Sequence, residues 1–368
     1  MSRMSTIAII GGGNGAFASA VHLTLEGFKI SLCDPYKEGE SLSQVISDGT
    51  INYTGIFGEG SVVLHQITTD VAEAVEGAEL ILVCVPATAH TAVAKWLAPV
   101  LQAGDVVLLN PGHTGGALNF LKTLRQHGFS ESFLLGETST LTYITRKKDP
   151  QTIWIEHVGK FVSVSSLPAR KLPQLMERVQ QCYPDLNRTK TILGTSLRNL
   201  NAIMHPPGMV LGAAWIEHTK GDFYFYQDAA TPGVGRLLDK IDQERLVIGK
   251  AWDEPLETFS ELMYKTGITT EAAKDSGSLR KAFLECEPNS KIKAPPSLDH
   301  RYMHEDIMHG LVPMIALGQA ADVNAPVMRS LVRIASVVNG IDYWEEGLNR
   351  KRLGLEGKSV SEIKKMLM

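Results

Sequence analysis

The first half of the chain alternates short, mostly apolar runs with stretches whose apolar residues have helical spacing. The runs, typical of strands buried in a sheet, are Ile7–Ile10, Phe28–Cys33, Leu80–Val85, Val106–Asn110 and Leu134–Ser139. The stretches of helical spacing are Phe17–Glu26, Val71–Val75, Ala92–Leu101 and a segment that starts near Ala117. This alternation of strand and helix predicts a doubly wound parallel sheet with helices on both faces.

Two further segments of the first half have a strand pattern. Residues Ile51–Gly55 and Val62–Leu64 have the pattern of a hairpin, and the β-branched segment Thr152–Ser166 is expected to supply the last strands of the sheet. In the second half the apolar residues follow helical spacing instead. The sequence therefore predicts an α/β domain of Rossmann type over residues 1–188 and an all-helical domain over residues 189–368.

Composition and charge narrow the classes of function. The 368 residues carry a net charge of -4 and no basic stripe, so nucleic acid is not an expected partner. No run is long and apolar enough for a membrane span or a secretory signal, so we expect a cytoplasmic protein. The four cysteines lack metal-ligand spacing, and we expect neither a disulfide nor a metal site. Long apolar helices between Leu311 and Val338 favour a domain core, with a homodimer surface as the alternative.

A glycine loop follows the first predicted strand and precedes the first predicted helix. The loop Gly11–Ala16 has the spacing G-x-G-x-x-A, which allows a tight turn and a close approach of the backbone to a pyrophosphate at a helix N-terminus. Asp34, at the end of the next strand, can accept hydrogen bonds from a ribose diol. The residues predicted to bind a dinucleotide are Gly11, Gly13, Asn14, Gly15, Ala16, Asp34, Val85 and Pro86, the last two following a buried strand.

The form of the dinucleotide is predicted from the same segment. A carboxylate at Asp34 repels a 2′-phosphate and so favours NAD(H) over NADP(H). Ala16 in the third position of the motif and Lys37 nearby keep NADP(H) as an alternative.

His205 is the first candidate for chemistry in the second half. It precedes Pro206 and Pro207, which cannot donate backbone hydrogen bonds, so a helix that reaches His205 is expected to stop or kink there. Asn201 lies four residues earlier, on the same face of the helix. A histidine at a helix end either faces a cleft or caps the helix, and position alone does not separate these roles.

The segment Asp299–Leu311 has an unusual density of titratable residues. Arg301 suits a carboxylate or phosphate ligand, and Asp306 can hold an imidazole in one tautomer. The alternative is an acidic helix N-terminus that stabilises the helix dipole. The aromatic run Phe223–Tyr226 fits a core better than a substrate pocket, and His113 in its glycine-rich loop either contacts a substrate or has no role.

A series of short motifs runs in order along almost the whole chain: Gly11–Ala16, Asn110–Gly116, Glu137–Ser139, His205–Pro206, Thr231–Gly235, Arg301–Asp306 and Gly310–Pro313. In these motifs the sequence resembles the octopine/nopaline-type opine dehydrogenases. The resemblance implies a Rossmann domain followed by a helical domain, with the active site between them. It also implies an NAD(P)H-dependent condensation of an L-amino acid with a 2-oxo acid such as pyruvate, through an imine, giving an N-(carboxyalkyl) amino acid.

The resemblance also implies roles for individual residues. His205 matches the catalytic histidine and Asp306 its partner, while Arg301 matches an arginine that engages bound ligand, including the cofactor pyrophosphate. His113 stands where some relatives have a glutamine that contacts substrate, so its own role is open. His113, Asn201 and Arg301 are therefore the predicted substrate contacts.

Two alternative functions remain. A ketopantoate-reductase-like or hydroxyacid oxidoreductase would have the same plan, but such enzymes generally use a lysine where this chain has Arg198, Asn201 and His205. A non-catalytic dinucleotide sensor would bind the cofactor without turnover. Contact between His205 and Asp306 would count against the sensor.

Overall fold

The structure is a computed structural model that describes residues 4–368, apart from the side chains of residues 37–39. Lys37, which kept NADP(H) as an alternative, therefore lies outside the described side chains. The chain forms two compact units. The first unit runs to Gly112 and includes Gly116–Ile192 and Leu367–Met368, while the second consists of His113–Gly115 and Leu193–Met366.

The described residues of the first unit form twelve strands, numbered here in chain order. They are β1 Thr6–Ile10, β2 Lys29–Cys33, β3 Thr50–Gly55, β4 Gly60–Val63, β5 Gln66–Thr68, β6 Leu80–Val83, β7 Val106–Leu109, β8 Leu134–Thr138, β9 Tyr143–Lys147, β10 Thr152–Val158, β11 Ser163–Leu167 and β12 Asn187–Arg188.

Eight of these strands form the main sheet, in the order β12-β11-β8-β7-β6-β1-β2-β5. Every neighbouring pair is parallel except β11 and β8, which are antiparallel. The central strands β1, β6 and β7 are buried along most or all of their length, which explains their nearly continuous apolar sequence. The predicted doubly wound α/β fold is confirmed.

A second, four-stranded sheet has the order β4-β3-β10-β9. Its strands β3 and β4 form the predicted hairpin. Residues Thr152–Ser166 were expected to complete the main sheet, and this is wrong for β10, which pairs with β3 and β9 in the second sheet. Only β11 joins the main sheet, because β-branched composition favours strands without specifying their partners.

Helices complete both units. Those that begin in the first unit are α1 Asn14–Leu25, α2 Ser43–Asp48, α3 Val71–Val75, α4 His90–Leu97, α5 Gly116–Gln126, α6 Leu172–Val179 and α7 Ile192–Ser196. Those that begin in the second are α8 Leu200–Leu211, α9 Ala213–Thr219, α10 Phe225–Asp228, α11 Pro232–Ala251, α12 Phe259–Lys265, α13 Glu271–Ser276, α14 Leu279–Leu284, α15 Arg301–Asp306, α16 Val312–Ala320, α17 Pro326–Asn339, α18 Tyr343–Glu346 and α19 Val360–Leu367.

Short helical turns connect some of these elements. Four are 3-10 turns, at Tyr36–Leu42, Ala87–Ala89, Ala169–Lys171 and Glu287–Asn289. A π turn at Ile307–Leu311 joins α15 to α16, and such turns are frequent at functional sites. No helix in the described part of the chain is long and apolar enough to cross a membrane.

Helix α8 lies at the centre of the second unit, packed against α11, α15 and α17. The sequence predicts that the helix stops or kinks at His205. It does not stop there, because α8 continues through Pro206 and Pro207 to Leu211. A proline inside a helix costs about 3 kcal/mol, and burial of nearly the whole helix offsets that cost. His205 therefore lies within a packed helix and does not cap a helix end.

The apolar helices after Leu311 have different environments. Helix α16 is buried apart from Gln319, as expected for a core helix. Helix α17 buries one face through residues such as Leu331 and exposes the other, where Val337 is 78% exposed.

Candidate active site

The glycine loop joins β1 to α1 in the first unit. Gly11 has φ +135°, and a side chain there would overlap the carbonyl oxygen of Cys84, so this position needs glycine for the turn itself. Gly13 precedes α1 with ordinary backbone angles, and no atom lies within 4 Å of the position that a Cβ would occupy. The space over Gly13, at a helix N-terminus with no side-chain cap, fits a pyrophosphate.

Asp34 follows β2 and lies beside the same loop. Its carboxylate accepts hydrogen bonds from the backbone N–H of Tyr36, at 3.1 Å, and from the hydroxyl of Ser41. A Cβ at Gly12 would lie 2.5 Å from the Asp34 carboxylate, so the loop and the carboxylate are adjacent. This arrangement suits an adenosine ribose next to the pyrophosphate.

Lys147, from β9, also reaches the loop. Its ammonium donates to the carbonyl oxygens of Gly12, at 3.4 Å, and Ser41, at 3.3 Å, and lies 3.6 Å from the centre of the Phe17 ring. Burial lowers the pKa of Lys147, while Asp149 and Asp34 act in the opposite direction. The sequence did not indicate this lysine, because β9 belongs to the second sheet.

The remaining predicted cofactor residues, apart from Arg301 in the second unit, surround the loop. Gly15 and Ala16 lie in the first turn of α1, and the Asn14 side chain accepts from the backbone N–H of Lys147 at 2.8 Å. Val85 and Pro86 follow β6, and a Cβ at Gly11 would lie 3.1 Å from the Val85 side chain. All of these residues lie in the first unit, at the carboxyl ends of the strands β1, β2 and β6.

In the second unit, His205 contacts Asp306. The His205 Nδ1 lies 2.6 Å from the Asp306 Oδ2, and both side chains are buried. Because a carboxylate only accepts, Nδ1 carries the hydrogen, and the Nε2 of the neutral ring is then an acceptor. The Tyr226 hydroxyl lies 2.6 Å from Nε2 and donates to it. We call this arrangement the His205–Asp306 dyad.

Aromatic rings enclose the dyad. The Tyr302 ring stacks on His205 at 3.6 Å between ring centres, and Phe225 meets His205 edge-on. The Tyr226 and Tyr302 hydroxyl oxygens are 3.4 Å apart. Burial, followed by Tyr302 and Asp306, raises the pKa of Tyr226 well above its usual value, so its hydroxyl remains protonated.

A buried carboxylate connects two of the predicted substrate contacts. The Glu305 Oε1 lies 3.2 Å from the His113 Nε2, and Oε2 lies 2.6 Å from Nη2 of Arg301 and accepts from its Nε at 2.9 Å. Burial opposes the charged form of His113, but Glu305 and Asp306 more than offset it and raise the His113 pKa. We call His113, Arg301 and Glu305 the Glu305 cluster.

Asn201 is the predicted contact with the weakest structural support. It is half-buried in the first turn of α8, one turn before His205, and no contact joins it to the dyad or to the Glu305 cluster.

Comparisons with known proteins give one family match for the helical part of the chain and another for its N-terminal part. Residues 188–339 match the family described as NAD/NADP octopine/nopaline dehydrogenase, alpha-helical domain, and residues 6–108 match NADP oxidoreductase coenzyme F420-dependent. The opine dehydrogenase of Arthrobacter sp. (strain 1C) is 32% identical over 364 residues, which cover 99% of each chain. The chain belongs to the octopine/nopaline dehydrogenase family. It is an NAD(P)-dependent oxidoreductase that acts on small molecules.

Solved structures share this fold across almost the whole chain. Octopine dehydrogenase with NADH and L-arginine matches with a TM-score of 0.79 at 18% identity, covering 98% of this chain and 97% of the other. Yersinopine dehydrogenase with NADP+ matches with a TM-score of 0.72 at 18% identity, covering 99% and 98%. The predicted Rossmann domain followed by a helical domain is the fold of these enzymes.

Three residues of the candidate site are not predicted by the sequence analysis. Tyr226 was assigned to a core run, and Tyr302 and Glu305 appeared only as members of a motif. The contact between Arg301 and Glu305 could have been predicted from their spacing. Glu305 stands four residues after Arg301 and so lies on the same helical face. For Tyr226 no local signal exists, since its contact with His205 depends on the packing of α10 against the dyad.

Proposed function

We propose that this chain catalyses the NAD(P)H-dependent condensation of an L-amino acid with a 2-oxo acid such as pyruvate, and the reverse oxidation. The observation that carries the proposal is the buried His205–Asp306 dyad, with its 2.6 Å contact. Relatives support the substrate class, because octopine dehydrogenase has been solved with L-arginine and with pyruvate.

His205 supplies the proton transfers that this reaction needs. The amine must be neutral to attack the keto carbon, and the resulting carbinolamine must lose water to form an imine. An imidazole takes and returns protons near neutral pH, so one side chain serves both steps. Asp306 fixes the ring orientation and stabilises the imidazolium after it accepts a proton.

The first unit holds the dinucleotide in this proposal, which assigns residues 1–188 to the cofactor and 189–368 to the substrates. The pyrophosphate would lie over Gly13 at the start of α1, and Asp34 would accept from the adenosine ribose. When bound, the dinucleotide supplies the hydride that reduces the imine. Arg301, with His113 and Asn201, would orient the anionic groups of the bound ligands.

A substrate screen tests the proposal. NADH and NADPH oxidation would be measured with pyruvate and a panel of amino acids, and we expect oxidation that depends on both the oxo acid and the amine. Oxidation by a 2-oxo acid alone would instead indicate a hydroxyacid enzyme. Cofactor binding without any turnover would indicate a sensor. Either result would contradict the proposed opine dehydrogenase activity.

We infer further that NAD(H) is preferred over NADP(H), because the Asp34 carboxylate would repel a 2′-phosphate. Asp34→Ala should narrow the ratio of kcat/KM for NADH over NADPH roughly tenfold, the effect of about 1.4 kcal/mol of charge repulsion. Glu131→Ala, which removes an exposed carboxylate of the same unit, is the matched control. An unchanged ratio of kcat/KM for NADH over NADPH in Asp34→Ala would show that Asp34 does not contact the adenosine ribose.

A further inference from the structure

Glu305 is a buried acid with a basic side chain at each oxygen. Its side chain is 2% exposed, with His113 at Oε1 and Arg301 at Oε2. Arg301 is 54% exposed, so it forms the solvent side of the Glu305 cluster, while His113 forms the buried side. A carboxylate in this position is stable only when cations compensate its charge, and protonated His113 provides one of them.

The loop that carries His113 is fixed by hydrogen bonds within the second unit. His113 itself has φ +56°, a left-handed backbone that is uncommon for residues other than glycine. Next to it, Thr114 donates its N–H to the carbonyl of His309, at 3.2 Å, and its hydroxyl to the carbonyl of Ser196, at 3.1 Å. These contacts hold the ring with Nε2 directed at Glu305.

The other ring nitrogen of His113 has no partner. Its Nδ1 is buried and makes no hydrogen bond with any described residue. The Asp306 Oδ1 is also buried and accepts no hydrogen bond from any described residue. When His113 is protonated, Nδ1 carries a hydrogen, and a buried N–H without an acceptor is unfavourable. A ligand that brings an acceptor oxygen would remove that cost.

We propose that Glu305 is a positioning residue that holds His113 as an imidazolium, and that the Nδ1–H of this imidazolium binds a carboxylate of the substrates. This inference rests on the proposed function for the identity of its ligand. The carboxylate belongs to the 2-oxo acid or to the amino acid, and the two are distinguished by experiment. The contact accounts for a histidine at this position, because a neutral side chain would supply a hydrogen bond without the charge.

The charged groups around His113 favour its protonated form. Glu305 and Asp306 act to raise its pKa, whereas burial and Arg301 act to lower it, and the net shift is upward. The neighbouring His309 does not compete for the proton, because burial lowers its pKa to about 4, with Glu305 acting to raise it and His113 and Arg352 to lower it. Of these two histidines, His113 is therefore the one whose surroundings favour the protonated form.

Glu305→Gln tests the inference, because it keeps the shape of the side chain and one of its two acceptor oxygens and removes the charge. In the wild type, substrate affinity should persist as the pH rises towards the raised pKa of His113 and fall above it. In Glu305→Gln that fall should begin at lower pH. At a pH above the raised pKa of His113, the variant KM for the carboxylate substrate should exceed the wild-type value, about tenfold if the pKa is lower by one. The kcat should change much less.

Separate measurements identify the source of the carboxylate. A rise in KM for pyruvate alone would place the 2-oxo acid at His113, and a rise for the amino acid alone would place the amine substrate there. Pyruvamide, which lacks the carboxylate, should be insensitive to Glu305→Gln if pyruvate is the ligand. Glu305→Asp retains the charge and should restore the pH profile more fully than Gln.

An NMR titration follows the protonation of His113 beside Glu305 and does not require turnover. The chain has 11 histidines, and a difference from His113→Gln identifies the His113 signal. We expect this signal to titrate at lower pH in Glu305→Gln and to shift when pyruvate or the amino acid is added to the wild type. Identical titration in the two proteins would overturn the inference, as would the absence of any shift with either ligand. Failure of the proposed function would be seen separately, as a wild type without amine-dependent oxidation.

Discussion

Both ring nitrogens of His205 contact buried oxygen atoms before any substrate is bound. Asp306 holds Nδ1 and Tyr226 holds Nε2, each at 2.6 Å, while the stacked Tyr302 ring fixes the plane of the imidazole. A side chain fixed in this way loses little freedom during proton transfer, which is the advantage of a preorganised general base. At the scale of the residue, the site is therefore built around one imidazole.

His205→Ala should lower kcat by roughly 10²–10⁴-fold, the usual effect of removing a general acid or base. Binding of NADH, measured by fluorescence titration, should persist because the predicted dinucleotide residues lie in the first unit. His218→Ala changes an exposed histidine of the same unit and should leave kcat unchanged. A wild-type rate in His205→Ala would exclude His205 from the mechanism.

Tyr226→Phe removes one hydroxyl and leaves the buried Nε2 of His205 without its donor. An unsatisfied buried acceptor costs about 1–3 kcal/mol, so the free energy of unfolding should fall by that amount. Denaturant unfolding measures it. Tyr224→Phe makes the same chemical change two residues away on a 42% exposed ring and should be nearly neutral. Equal effects of the two substitutions would show that the hydrogen bond to His205 is not important for stability.

The dyad depends on the close packing of two elements, helix α8 and the π turn that follows α15. Gly310, in the π turn, faces Ala202 of α8, and a Cβ at Gly310 would lie 2.6 Å from that of Ala202. Asp306 stands just before the turn and His205 one turn after Ala202. The distance between the elements therefore sets the distance between the two side chains of the dyad.

Gly310→Ala should push α8 and the π turn apart. We expect it to lower the free energy of unfolding by about 1–3 kcal/mol, as overpacking does, and to reduce kcat by separating His205 from Asp306. Gly233→Ala is the matched control, since Gly233 lies in the first turn of α11 and a Cβ there would make only ordinary contacts, the nearest atom being 3.9 Å away. The control should be neutral or slightly stabilising. A Gly310→Ala enzyme with normal stability and kcat would contradict this account.

At the scale of the whole molecule, the two units have separate cores and separate predicted roles. The residues predicted to bind the dinucleotide lie in the first unit apart from Arg301, and the dyad and the Glu305 cluster lie in the second. A ligand that binds only folded protein stabilises it by about 2.7 kcal/mol at 100 times its Kd. Thermal unfolding with and without NADH therefore reports on the first unit independently of chemistry. The homodimer stays a prediction, with the exposed apolar positions of α17 as its candidate surface.

Gly13→Ala should have little effect on the stability of the fold and a large effect on the binding of the cofactor. Its Cβ meets no atom within 4 Å, so Tm without ligand should fall by only a few degrees, the cost of alanine at a helix N-cap. The same Cβ would fill the space of the pyrophosphate, so the NADH-dependent rise in Tm should largely disappear. An undiminished rise would mean that the pyrophosphate does not lie over Gly13.

The sequence alone was sufficient for features that depend on local pattern. Strand and helix alternation, the glycine loop and Asp34 follow from residues close together in the chain, because periodicity and turn geometry act over a few residues. The fold class was predicted in this way and is confirmed. The opine dehydrogenase family was predicted from the resemblance of short motifs along the chain and is also confirmed.

Only the tertiary structure decided how distant side chains meet. The resemblance implied that Asp306 is the partner of His205, 101 residues away, but their 2.6 Å contact, with Tyr226 and Glu305 beside it, depends on how the helices of the second unit pack. Packing also overrode the local preference of two prolines, since the burial of α8 outweighs their cost. Local preferences amount to a few kcal/mol and are set by neighbours in sequence, whereas the site is made by neighbours in space.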